Sequence, residues 1–195
     1  MNSQLLLTVI CDDRPGIVEK IAATVHAHHG NWLESRLSRL SGKFAGIVQI
    51  ETNPDHEESL AHELLELRKS GISISAEKII AGHEEAASTD SEKASQQDQT
   101  QNATTTLSTT YHFSIAGNDR PGIIREVSQA FSVRQINLEN LNSRCTSMPH
   151  VGTPLFEASG EISMPASTDI DELSKHLDRI SDELAIDIQL EEFQS

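Results

Sequence analysis

Asp12-Asp13-Arg14-Pro15-Gly16-Ile17-Val18 returns 106 residues later as Asn118-Asp119-Arg120-Pro121-Gly122-Ile123-Ile124. The same offset sets Val25 against Phe131 and Asn31-Trp32-Leu33 against Asn137-Leu138-Glu139, so the similarity runs well past the seven-residue core. Self-similarity at one long period in a chain of 195 residues implies two homologous units.

Each motif stands where a strand pattern gives way to a helix pattern. Ahead of the first, Leu5, Leu7, Val9 and Cys11 alternate with Leu6, Thr8 and Ile10, apolar on both faces, as expected of a central strand. Pro15 fixes φ and disfavours helical backbone at Arg14, so the helix is expected to start at Pro15. Val18, Ile21, Ala22 and Val25 form its apolar stripe, which runs out near His28-His29-Gly30. Strands over 31–40 and 44–51 follow, joined by the hairpin turn Ser41-Gly42-Lys43. Asn53 caps a second helix carrying Leu60, Leu64 and Leu67, and Ile72, Ile74 and Ala76 continue as a last strand.

The second copy reads the same way: strand 111–116, helix 121–135, strands 137–145 and 155–163, helix 168–184 and strand 186–193. Its hairpin is widened by a loop over 147–154 containing Pro149, Gly152 and Pro154. The βαββαβ order predicts an α+β fold of ferredoxin-like type, each copy a four-stranded antiparallel sheet with two helices on one face. A face left bare implies further packing, either of the copies on each other or in a homodimer.

Between the copies, the run from His83 to Ser108 is polar, aperiodic and free of aromatics, and cannot bury enough apolar surface to offset its ordering entropy. The expected organisation is a first domain over 1–82, a flexible acidic linker over 83–108 and a second domain over 109–195. The formal net charge of −15 argues against direct nucleic-acid binding, and no segment is basic. Phe44 is the one aromatic in a stretch, 42–48, where an RNA-recognition sheet would present several. No apolar run approaches a membrane span, and the N-terminus lacks the charged start of a signal peptide, so a cytoplasmic location is expected. Cys11 and Cys145 both fall in strand patterns and read as free buried thiols.

The strand-to-helix turn suits a ligand. A helix N-terminus offers unpaired N–H groups and a partial positive charge to a carboxylate. Gly16 and Gly122 permit close approach to the backbone, while Asp13 and Asp119 attract an ammonium group. Spacing alone favours a tight turn whose aspartate merely caps the helix. His26, His28 and His29 lack accompanying metal ligands and read as solvated histidines at a helix C-terminus. No catalytic constellation, metal motif or phosphate loop is visible, so neither an enzyme nor a cofactor is expected.

The segment from Asp12 to Ile17, with Asn31 opening the next strand, resembles the signature of the ACT domain, and Asp119 to Ile123 with Asn137 repeats it. The tandem layout and Glu34-Ser35-Arg36-Leu37 resemble the glycine cleavage system transcriptional repressor family. The resemblance implies a non-catalytic sensor of an amino acid such as glycine or serine, acting on transcription through a DNA-binding protein partner. It points to Asp13, Arg14, Gly16, Ile17 and Asn31, and to Asp119, Arg120, Gly122, Ile123 and Asn137, as ligand-binding residues. Asn118 in place of Asp12 makes the two sites unequal. The competing expectation is a ligand-independent subunit that docks on a metabolic enzyme by its sheet edges.

Overall fold

The computed structural model describes residues 2–79, 108–146 and 154–193. The first unit runs β1 (Ser3–Asp12), α1 (Ile17–Ala27), β2 (Asn31–Leu40), β3 (Lys43–Thr52), α2 (Pro54–Glu66), a 3-10 turn (Leu67–Ser70) and β4 (Ile72–Lys78). The second repeats it as β5 (Ser108–Asn118), α3 (Ile123–Ser132), β6 (Asn137–Thr146), β7 (Leu155–Pro165), α4 (Ile170–Leu184) and β8 (Ile186–Glu192). Ser108, expected in the linker, opens β5; the rest of that segment lies outside the described residues, as does nearly all of the hairpin loop expected over 147–154.

The helices begin later than Pro15 and Pro121 suggest. Gly16 and Gly122 take left-handed backbone, φ 87° and 103°, which a right-handed helix cannot contain, so α1 and α3 start at the following isoleucine. Neither helix has a side-chain cap, which rules out the aspartate as a capping residue. Asn53 does cap α2, accepting from the Asp55 N–H at 3.1 Å.

The alternation in β1 is explained by its place between β4 and β3. Leu5, Leu7 and Val9 are buried against α1 and α2, along with Val48, Ile50, Leu60 and Leu64. Each such side chain stabilises the fold by roughly 1.5–3 kcal/mol. Phe113, Phe131 and Phe156 anchor the second unit, the first two rings meeting edge-on at 5.3 Å. Phe44 is 1 % exposed, a core residue that no nucleic acid could stack on.

The two sheets are one. β2 pairs antiparallel with β6 through Ser35↔Ser143 and Leu37↔Leu141, giving eight strands in the order β4-β1-β3-β2-β6-β7-β5-β8. Leu37 and Leu141 are both buried, so all four helices lie on the same face, with α1 packed on α3. Trp32 is buried there too, and its indole N–H donates to the Ser143 hydroxyl at 3.2 Å, while Ser35 and Ser143 share a 2.8 Å hydrogen bond. The copies thus pack edge to edge, and no helix among the described residues lies on the far face of the sheet.

Candidate functional site

The element that aims the site is a β-bulge. In β2 the register shifts between Trp32 and Glu34, and in β6 between Leu138 and Asn140, so Leu33 and Glu139 are the extra residues. Asn31 and Asn137, at the mouth of each bulged strand, are turned toward the other unit. Asn31 Nδ2 donates to Asp119 Oδ2 at 2.8 Å, and Asn137 Nδ2 donates to Asp13 Oδ2 at 2.9 Å. Each motif is therefore completed by the asparagine of the opposite copy, not by its own.

The glycines obey the same exchange. A Cβ on Gly16 would stand 2.8 Å from Ser132 Oγ, and one on Gly122 would stand 3.3 Å from His26 Cε1. His26 and Ser132 are the same position of the repeat. His26 therefore faces the second unit's turn, His28 contacts the Thr24 carbonyl, and His29 lies against His56 with ring centroids 5.1 Å apart.

Asp13 and Asp119 are held at the backbone as well. The Asp13 N–H donates to the Gly42 carbonyl at 3.0 Å and the Asp119 N–H to the Pro154 carbonyl at 2.9 Å. In both carboxylates Oδ2 is hydrogen-bonded while Oδ1 is buried with no partner among the described residues. Buried acceptors are normally paired, so each Oδ1 marks a place for an N–H or O–H donor.

The two sites differ in charge. Arg39 Nε lies 3.3 Å from Asp13 Oδ2, and its Nη1 lies 2.5 Å from Glu139 Oε2, so the first carboxylate is compensated. Position 145, the counterpart of Arg39, is a cysteine, whose thiol stands near the Asp119 carboxylate with Glu51 close by. Burial and the Glu51 charge hold the Asp119 carboxyl above its ordinary value, against the lowering effect of Asn31 and Cys145. Burial and the Asp119 charge push the Cys145 thiol up to about 11. The second site is thus the more electronegative.

Of the ten residues expected to bind ligand, Asp13, Gly16 and Asn137 come together at one site and Asp119, Gly122 and Asn31 at the other. Ile17 and Ile123 are buried core residues. Arg14 is exposed and donates to the Ser70 carbonyl of its own unit; Arg120 is exposed. Beside Gly16, Arg14, Ile17, Phe44, Ser132 and Leu138 line a crevice of about 10 Å³, room for one water molecule. Arg39, Glu139, Glu51 and Cys145 were missed from sequence. Comparing the copies position by position shows Arg39 facing Cys145, and that mismatch was the available signal.

Among the described residues no helix is long and apolar enough to cross a membrane, and no three His, Cys, Asp or Glu side chains group as metal ligands. Both cysteines are free, Cys11 buried and Cys145 half-buried.

No curated protein matches the chain. Among solved structures, a protein of unknown function from Galdieria sulphuraria is similar over 100% of both chains, at 22% identity and TM-score 0.46. A protein provisionally assigned as a glycine cleavage system transcriptional repressor is similar over 100% of this chain and 99% of its own, at 16% identity and TM-score 0.39. Aspartate kinase from Synechocystis is similar over 96% of this chain and 43% of its own, at 12% identity and TM-score 0.33. The ACT domain model matches residues 3–77. The matched part of the chain spans almost all of the first βαββαβ unit, and the described residues of 108–193 repeat that unit's order of strands and α-helices without its 3-10 turn.

Proposed function

We propose that the chain is a non-catalytic regulatory protein that senses an amino acid at the composite turns and passes the signal to a transcription factor. The observation that carries the reading is the reciprocal pairing of Asp13 with Asn137 and Asp119 with Asn31, which leaves one buried carboxylate oxygen at each turn without a hydrogen-bond partner among the described residues. An ammonium group fits that acceptor, and the uncapped N-termini of α1 and α3 suit the carboxylate of the same molecule. A ligand held between the units would change how firmly they pack, which is a way to alter a surface offered to a protein partner. Glycine or serine is the ligand implied by the motif resemblance.

A thermal-shift screen of the full chain against the standard amino acids tests this, with Asp13→Asn and Asp119→Asn alongside. A ligand that binds only the folded state raises Tm by mass action. The expected result is a rise for one amino acid that disappears in Asp119→Asn. A flat screen with folded protein overturns the reading.

A second reading is a ligand-independent docking module. It is favoured by β4 and β8, whose outer edges carry no neighbouring strand among the described residues and could accept an added one.

A further inference from the structure

The sheet face opposite the helices holds a second polar site, apart from the turns. Under the repeat, Ser35↔Ser143 and Leu37↔Leu141 exchange with each other, so the approximate twofold axis passes between Arg36 and Asn142, which are paired partners and equivalent positions at once. Along one row across the sheet the paired residues are Thr8, Ile47, Arg36, Asn142, Ser159 and Ser114. On the second unit's side of the axis this row forms a groove of about 460 Å³ lined by Arg36, Asn142, Arg144, Glu157, Ser159 and Ser114. That volume is in the range of small-molecule sites.

The groove's charges are unequal. Arg144 is matched by Glu157, with Nε and Nη2 each 2.8 Å from the same carboxylate oxygen. Arg36 has no hydrogen-bond or ion-pair partner among the described residues, in a chain with twice as many acidic as basic residues. Asn142, Ser159 and Ser114 likewise have no side-chain partner among them. The first unit serves as an internal comparison: Ile47 stands where the second has Ser159, so this place carries a hydroxyl on one side of the axis only, and the smaller groove of about 200 Å³ on the other side is lined by Leu6, Glu34, Arg36, Ile47 and Gln49.

We propose that this groove binds a small hydroxylated carboxylate, its carboxylate held by Arg36 and Asn142 and its hydroxyl groups by Ser159 and Ser114. A planar guanidinium grips a carboxylate through two parallel hydrogen bonds, which an exposed lysine could not do, and the serines supply the donors and acceptors that a hydroxyl needs.

Calorimetric titration of the full chain with malate, succinate and inorganic phosphate, at constant ionic strength, tests it. Malate is expected to bind, and succinate, lacking the hydroxyl, to bind more weakly. Arg36→Gln should weaken malate about tenfold or more, the loss expected for a charge-assisted contact. Ser159→Ile, which installs the residue that the first unit carries at this place, should fold normally and abolish binding. Asp119→Asn should leave malate binding unchanged, which separates this groove from the turns. Malate binding that is absent, matched by phosphate, or indifferent to Arg36→Gln overturns the proposal.

Discussion

Asn31 of the first unit and Asp119 of the second are joined by a 2.8 Å hydrogen bond across 88 residues of sequence. Asn31 is 7% exposed, so losing it strands a buried carboxylate oxygen. Asn31→Ala is expected to cost about 2 kcal/mol. Asn137→Ala is expected to cost less, because Asp13 keeps Arg39. Urea unfolding of both variants checks the order, and equal losses would count against the charge difference between the sites.

The Asp119 carboxyl sits above its ordinary value of 3.8 because it is buried. The folded chain therefore keeps its proton where the unfolded chain has released it. The stability this group contributes is fully present below the unfolded value and is lost as pH rises through the folded one. Asp119→Asn removes that loss, so the Tm of the variant minus that of the native chain should increase as pH rises above about 4. A difference that is flat or falls with pH would show that the carboxyl is not raised.

With its thiol pushed up to about 11, Cys145 is almost entirely protonated near neutrality. At about pH 8 only about one molecule in a thousand carries the thiolate, so labelling by a disulfide reagent should be slow. Asp119→Asn removes one of the charges that disfavour the thiolate, and should speed labelling several-fold. Cys11, buried with its thiol on the Phe44 carbonyl, should stay unlabelled until the chain unfolds.

Gly16 combines left-handed backbone with a neighbour only 2.8 Å from where a side chain would start. Gly16→Ala should cost about 1–3 kcal/mol, and adding Ser132→Ala should recover only the part due to the clash. Gly122→Ala should be milder, since His26 stands farther off at 3.3 Å and can give way. Thermal melts of the three variants give the ranking.

The element order was legible because local signals agreed: β2 runs over the span that Asn31 to Leu40 suggests, and Asn53 caps where its position says it should. The start of α1 was misread because Pro15 fits a first helical position while the left-handed φ of Gly16 is set by the turn. The joining of β2 to β6 was not legible, since edge pairing is made by backbone groups that every sequence carries. The composite turns were hidden for a related reason. Each motif contains its own aspartate and its own asparagine, and nothing local says that they cross over.

The β2–β6 seam makes this chain its own partner. Two identical subunits joined along the same edge would be bound to carry one residue at both copies of every position, so a change helpful at one turn would be imposed on the other. Held on one polypeptide, the halves are released from that rule. Arg39 beside Asp13 and Cys145 beside Asp119 are what the release has produced: an assembly of twofold shape whose two turns differ in charge and are not bound to serve the same end.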